Sequence, residues 1–201
     1  MKWAPGDRGN IEDRRGSSGM RAGMPLGIGG IRVEGPVLAG DRSFVAWHDL
    51  PIRHGMTAGE LARMFNDERH LGAQLTVIPC EGWSRSQWFD ATALPWINTS
   101  PNMRSLTQAT LYPGVGVIEM CQISVGRGTD SPFERVGAPY INDLRLAAEL
   151  NAARLAGVRF VPIRFTPTAS RFQGENCGGV HILVTDREAL HTADLGVVLA
   201  S

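Results

Sequence analysis

An extended run, a capped amphipathic helix and a second apolar run follow one another within about 35 residues of the first half of the chain, and this succession restricts the fold most. SFVAWHDLPI, from Ser43, reads as extended. Thr57, Ala58, Gly59 and Glu60 then form a capping box, with the Thr57 hydroxyl accepting from the third helical N–H while Glu60 reaches back. The helix of about a dozen residues that follows carries Leu61, Met64 and Phe65 on one face. AQLTVIPC, from Ala73, is apolar enough to be a strand covered on both faces. The expectation is a parallel, right-handed βαβ unit at the end of a larger open sheet.

Further along, the pattern predicts a short helix near 105–111 and a strand over GVGVIEMCQISVG, from Gly114. Ser131, Pro132, Phe133 and Glu134 read as a second capping box, with Pro at the first helical position. The longest helix is expected over about 142–156, with Leu146, Leu150 and Ala153 on one face and Leu144, Ala148 and Leu155 beside it. Gly157 stands where a left-handed cap would end it. VRFVPIRFTP and CGGVHILVTD read as strands. Thr185 and Glu188 form a third capping box, starting a short helix before the apolar GVVLA. At 201 residues the chain suits one domain or one and a half, and its 24 Gly and 12 Pro make it rich in turns.

Composition excludes several classes. The 20 basic and 20 acidic side chains cancel, so the net charge calls for neither nucleic acid nor an anionic membrane. All the basic residues but Lys2 are Arg, whose planar fork suits carboxylates and phosphates. Cys80, Cys121 and Cys177 make no C-x-x-C pair and are expected as small core residues. The five histidines show no metal-binding spacing, so no metal and no cofactor is expected. No stretch approaches the length of a membrane span, and the amino terminus lacks the apolar core of a signal peptide, which gives a cytoplasmic expectation. Residues 1–23 read as a disordered or non-native leader. Gly27, Gly29 and Gly30 lack the spacing and the Lys of a phosphate-binding loop.

Three polar clusters lie at expected element ends. Arg53 and His54 precede a helix N-terminus, which favours an anion or a sugar hydroxyl; His54 could equally bond a backbone group. Trp83, Arg85, Trp88, Trp96 and Asn102 fall in turn-rich sequence, where the tryptophans suit either ring stacking or core packing. Glu119 interrupts an apolar run on the face of Val115 and Val117, so it is expected to be desolvated, raised in pKa or paired. Arg127, between two glycines, can pair with it or meet a substrate, and Thr129 stands close by.

LPIRHGMTAGELARMFN, EGWSRSQWFDATALPWINTSPNM and YPGVGVIEMCQISVGRGTDSPFERVGAPYI together closely resemble the exo-β-N-acetylmuramidases of peptidoglycan recycling (NamZ-type), from about Pro25 to the C-terminus. The resemblance implies an α/β fold: the end of a Rossmann-like parallel-sheet lobe over 24–103, followed by an α+β C-terminal domain over 104–201, with a substrate cleft between lobes. It implies removal of terminal N-acetylmuramic acid from peptidoglycan fragments. The Glu-His motif regarded as catalytic in the family lies upstream of the segment matching Gly29 to Pro36, and no residue is carried over for it. Glycoside hydrolysis ordinarily uses two carboxyl groups about 5–10 Å apart, and Glu119 is the candidate for one of them. For the lactyl carboxylate of the sugar the candidates are Arg127, Arg53 and Arg85, in that order. His54, Asn102 and Thr129 suit hydroxyl and acetamido groups, and Trp83 or Trp96 suits stacking. The alternative is a non-catalytic muropeptide-binding or partner-dependent module. An unpaired sheet edge would also promote self-association, and export of a longer gene product stays compatible with these features.

Overall fold

A computed structural model describes residues 33–37 and 48–201. The leader, the three-glycine segment and most of the extended run from Ser43 lie outside the described residues. The elements are α1 (Ala58–Glu68), α2 (Leu106–Val115), β1 (Arg135–Ala138), α3 (Asp143–Ala152), β2 (Val158–Phe165), β3 (Cys177–Val184) and α4 (Thr192–Ala200). Among the described residues this is an α/β architecture built on one antiparallel three-stranded sheet, order β1-β3-β2.

The central strand β3 pairs along its whole length with β2, from Val158 opposite Val184 to Phe165 opposite Cys177. On its other side Arg135 to Ala138 of β1 face His181 to Gly178. Val158, Phe160 and Phe165 of β2 turn into the core, whereas Arg159 and Val161 are exposed. Pro162 cannot donate to a ladder, and it stands on an edge strand, where that donor is dispensable. Helix α3 begins at the Asn142 cap and buries Ala147 and Leu150 with the sheet in the same apolar cluster. Helices α2 and α4 cross through glycine. A Cβ on Gly114 would collide with the Thr192 carbonyl, and one on Gly196 would lie 2.9 Å from the Gly114 carbonyl oxygen. The crossing brings Leu111, Val115 and Leu195, all fully buried, into one core with Val136, Val180 and Ile182. Each such side chain contributes about 1.5–3 kcal/mol relative to exposure.

Several expectations are corrected. The run from Gly114 is not a strand: α2 extends to Val115, a 3-10 turn covers Gly116–Ile118, and only Ser124 makes a β-bridge, to Gly137. Leu111, Val115 and Ile118 recur at helical spacing and are buried, and a short apolar run does not by itself distinguish the two periods. Val117 is accordingly 47% exposed rather than sharing a face with Val115. The segment from Ala73 joins no ladder among the described residues, so the expected parallel βαβ unit does not appear among them, and most of its first strand lies outside them; Ile78 is 88% exposed. It lies against α1, where Val77 occupies the space a Cβ on Gly59 would need.

Ser131 to Glu134 is a turn, with Phe133 buried at φ 64°. The longest-helix expectation shortens to α3, whose cap is Ala153; Gly157 is left-handed but lies beyond it, and Leu144, Ala148 and Ala153 are exposed. Thr185 and Glu188 do not start a helix. The Asp186 carboxylate accepts instead from the Glu188 and Ala189 N–H groups, and GVVLA lies within α4. Cys177 is buried, but Cys80 and Cys121 are exposed and lie in no strand among the described residues.

Asn151 ties α3 to β2. Its Nδ2 donates to the Ala147 and Phe160 carbonyls at 2.8 Å each, and its Oδ1 accepts from the Phe160 N–H at 3.1 Å. Asn151→Ala leaves those half-buried groups unmatched and should lower the unfolding free energy by about 1–3 kcal/mol in urea titration.

Candidate functional site

Glu119 follows the 3-10 turn that ends α2, its N–H donating to the Gly116 carbonyl at 3.3 Å. Arg127 lies in the loop before β1, between Gly126 and Gly128 at φ 80° and 79°. Its Nε donates to the Glu119 carboxylate, and its guanidinium carbon lies 5.1 Å from the Phe133 ring centre. Both side chains are partly exposed and line a cavity of about 480 Å³ with Met120, Ile123, Arg171 and Phe172. Nearby, burial pushes the Tyr112 hydroxyl pKa up, and the Glu119 charge adds to the effect. The cavity is of ligand-site size and joins an oriented carboxylate to an apolar wall.

The other sequence candidates do not line this cavity. Arg53 is 7% exposed; its Nη1 donates to the Glu34 carboxylate at 3.1 Å, and the two residues exchange backbone hydrogen bonds of 2.9 Å. The same Glu34 oxygen accepts from the Thr192 hydroxyl at 2.6 Å. Arg53 and Arg187 lie over the Trp88 ring at 5.4 and 4.5 Å, and the Trp88 indole N–H donates to Glu188. Arg187 also donates to Asp90 at 2.7 Å, which holds the Asp90 carboxyl below its ordinary range. Arg53 and Trp88 therefore belong to a tie between the first half of the chain and the segment entering α4. Arg85 holds the start of α1, donating to the Glu60 carboxylate and the Gly55 carbonyl and depressing the Glu60 pKa. The predicted capping box is present: Thr57 Oγ1 accepts from the Glu60 N–H, and Glu60 accepts from the Thr57 N–H.

His54 bonds a backbone group, its Nδ1 accepting from the Met56 N–H at 3.1 Å, which leaves Nε2 as the protonated nitrogen of the neutral ring. Thr129 closes a turn through the Gly126 carbonyl and the Ser131 N–H. Asn102 is half-buried in the turn bridged by Ser100 and Met103. Trp96 packs against the core, edge-on to Phe89, and donates to the Met103 carbonyl at 3.3 Å. Trp83 lies beneath Arg85 and lines a separate, mostly apolar hollow with Phe89 and Leu94. Its indole N–H is buried without a partner among the described residues. Ser170, Arg171 and Phe172 escaped sequence reasoning. Their signal was a loop between two strands, a common location for functional groups.

Among the described residues no cluster of three or more metal-ligating side chains occurs, and no helix is long and apolar enough to cross a membrane. Residues 24–107 match the family description "Exo-beta-N-acetylmuramidase NamZ, N-terminal", and residues 110–201 match its C-terminal counterpart. The chain belongs to the NamZ exo-β-N-acetylmuramidase family. It is 45% identical over 170 residues to the peptidoglycan beta-N-acetylmuramidase NamZ of Bacillus subtilis, an alignment covering 84% of this chain and 41% of that protein. Two crystal structures of DUF1343 family proteins from Bacteroides fragilis are also similar. One has TM-score 0.79 and 33% identity, covering 86% of this chain and 46% of the other. The second has TM-score 0.60 and 32% identity, covering 81% and 43%. The chain thus spans under half the length of each of these relatives.

Two outcomes follow from this geometry. Arg53→Ala removes the cationic partner of the buried Glu34 carboxylate, which keeps the Thr192 hydroxyl, and should destabilise the fold by about 3 kcal/mol in chemical denaturation. Burial lowers the His54 pKa from its ordinary 6.5, so the unfolded chain takes up that proton first. The His54 contribution to stability is therefore complete above pH 6.5 and declines as pH falls below it. His54→Gln should flatten the dependence of Tm on pH between about pH 5 and pH 7.

Proposed function

We propose that this chain contributes to a glycosidase that removes terminal N-acetylmuramic acid from peptidoglycan fragments. The observation carrying the proposal is the Glu119–Arg127 pair on the wall of the 480 Å³ cavity, in a chain whose family includes a peptidoglycan beta-N-acetylmuramidase. Hydrolysis adds water at the anomeric carbon, breaks the glycosidic C–O bond and delivers a proton to the leaving oxygen. Two carboxyl groups ordinarily divide that work. Glu119, oriented by Arg127, serves as one of them or accepts from the sugar hydroxyls.

We also take 24–103 as the closing part of a Rossmann-like lobe and 104–201 as the C-terminal domain, with 1–23 as a leader. The change of family description between residues 107 and 110 supports this division. His54, Arg53, Arg85, Asn102, Trp83 and Trp96 then act mainly by shaping the lobe and its edges, and Thr129 by closing the turn that carries Arg127 in the C-terminal domain. In the free chain, the exposed Leu75 and Ile78 favour self-association, which light scattering would register.

A second reading, a muropeptide-binding module without turnover, draws on Glu119 being the one carboxylate among the described residues that line the cavity. A chromogenic N-acetylmuramide separates the two. The glycosidase reading expects release of the chromophore by the purified chain and a fall of about 100-fold or more in Glu119→Gln. Calorimetric sugar binding with no chromophore release would replace it by the binding module.

A further inference from the structure

The three arginines that sequence reasoning offers for a sugar carboxylate each already face a protein carboxylate. Arg127 pairs with Glu119, Arg53 with Glu34 and Arg85 with Glu60. Taking a ligand anion would require any of them to share or abandon that partner. Arg171 differs. It lies on the loop between β2 and β3, lines the same cavity as Glu119 and Arg127, and pairs with no carboxylate among the described residues. Its Nη1 donates to the Gln122 side-chain oxygen at 2.8 Å, a neutral partner. The described titratable groups of the cavity wall are then one carboxylate and two guanidinium groups, so one positive charge is left uncompensated.

The loop that carries Arg171 is tied to its neighbours. The residues on either side of it, Ser170 and Phe172, adopt left-handed φ values of 69° and 59°. The Thr168 N–H and hydroxyl both donate to the Gly128 carbonyl, at 2.9 and 2.7 Å, and a Cβ on Gly128 would collide with the Ala169 backbone. The loop bearing Arg171 is therefore fastened to the loop bearing Arg127. Phe172 stands edge-on to Tyr140 at 6.2 Å, and the Tyr140 hydroxyl donates to the Gln122 carbonyl. Gln122, the partner of Arg171, is thus held from a second side.

We propose that Arg171 is the anion anchor of this cavity and selects a sugar bearing a free ether-linked carboxylate over the same sugar without that charge. This assignment rests on reading the Glu119 cavity as an N-acetylmuramic acid site. A planar guanidinium that gives up only a neutral amide gains a charge-assisted, bidentate pair with the incoming carboxylate. Amidation of that carboxyl by a peptide stem removes the charge and with it the advantage, so the preferred ligand is the stem-free sugar.

Calorimetric titration of the full chain with N-acetylmuramic acid, its methyl ester and N-acetylglucosamine tests the assignment. The unmodified chain should bind the acid about tenfold or more tighter than the ester. Arg171→Gln should bring the two within about twofold of each other. Arg171→Lys, which retains charge without the fork, should keep part of the preference. A preference that survives in Arg171→Gln overturns the assignment, as does equal binding of acid and ester by the unmodified chain. In both of those outcomes sugar binding persists and the reading of the cavity stands. Binding of none of the three sugars overturns the sugar reading and the Arg171 assignment together. Should Arg171→Gln lose its native circular dichroism, Arg171→Lys decides: a preference reduced about threefold or more supports the assignment, and an unchanged one overturns it.

Discussion

The Glu34 carboxylate binds the ends of the described chain together. It accepts from Arg53 beside it on a two-residue antiparallel bridge and from the Thr192 hydroxyl at the first turn of α4. Burying such a pair carries a desolvation penalty that the mutual attraction roughly offsets, so its main effect is on geometry rather than on net stability. In this placement of α4 a single Glu34 oxygen accepts from both donors. Helix α4 crosses α2 at glycine-to-glycine distance, and α2 ends in the turn that presents Glu119. The orientation of a carboxylate on the cavity wall thus depends, through two packed helices, on an ion pair that does not line that cavity.

Sequence and structure agree best where a pattern is both local and supported by its neighbours. Thr57 to Glu60 is a capping box in sequence and in space because an amphipathic helix follows it. Ser131 to Glu134 and Thr185 to Glu188 have the same spacing but lead into β1 and into the turn before α4, and the motif without a following helix is merely a turn. Strands β2 and β3 were legible because each has a partner within the chain. AQLTVIPC has the composition of a strand and the exposure of an unpaired segment, since strand character in sequence says nothing about where the neighbouring ladder comes from. The run from Gly114 failed differently: its apolar residues fit the helical and the extended period equally well until packing against α4 decides between them.

The site divides in a similar way. Glu119 and Arg127 are close in sequence, one an acid in an apolar run and the other a base between glycines, so pairing is one of the two outcomes that the sequence offers for them. Arg171 reaches the same cavity from the β2–β3 loop, and only the tertiary contact between Gly128 and Ala169 brings it there. Arg53 and Arg85, offered by the sequence for a ligand carboxylate, are each answered by a carboxylate of the protein. An arginine pattern marks where a fork is needed without saying whether the acid belongs to the chain or to a ligand.

Stability alone is a poor account of the Glu119–Arg127 pair. Glu119 stands at the C-terminal end of α2 and its 3-10 extension, where the partial negative charge of the helix end opposes a carboxylate by about 0.3–1 kcal/mol. A partly exposed ion pair returns about 0.2–1 kcal/mol, a gain of the same size. The two nearly cancel, so an apolar residue at position 119 would cost the fold little. A carboxylate at a helix end that disfavours it, together with the cation that makes it tolerable, gives the fold no net gain, and the pair stands on the cavity wall. There the ion pair leaves Arg171 to set the charge that the cavity offers to a ligand.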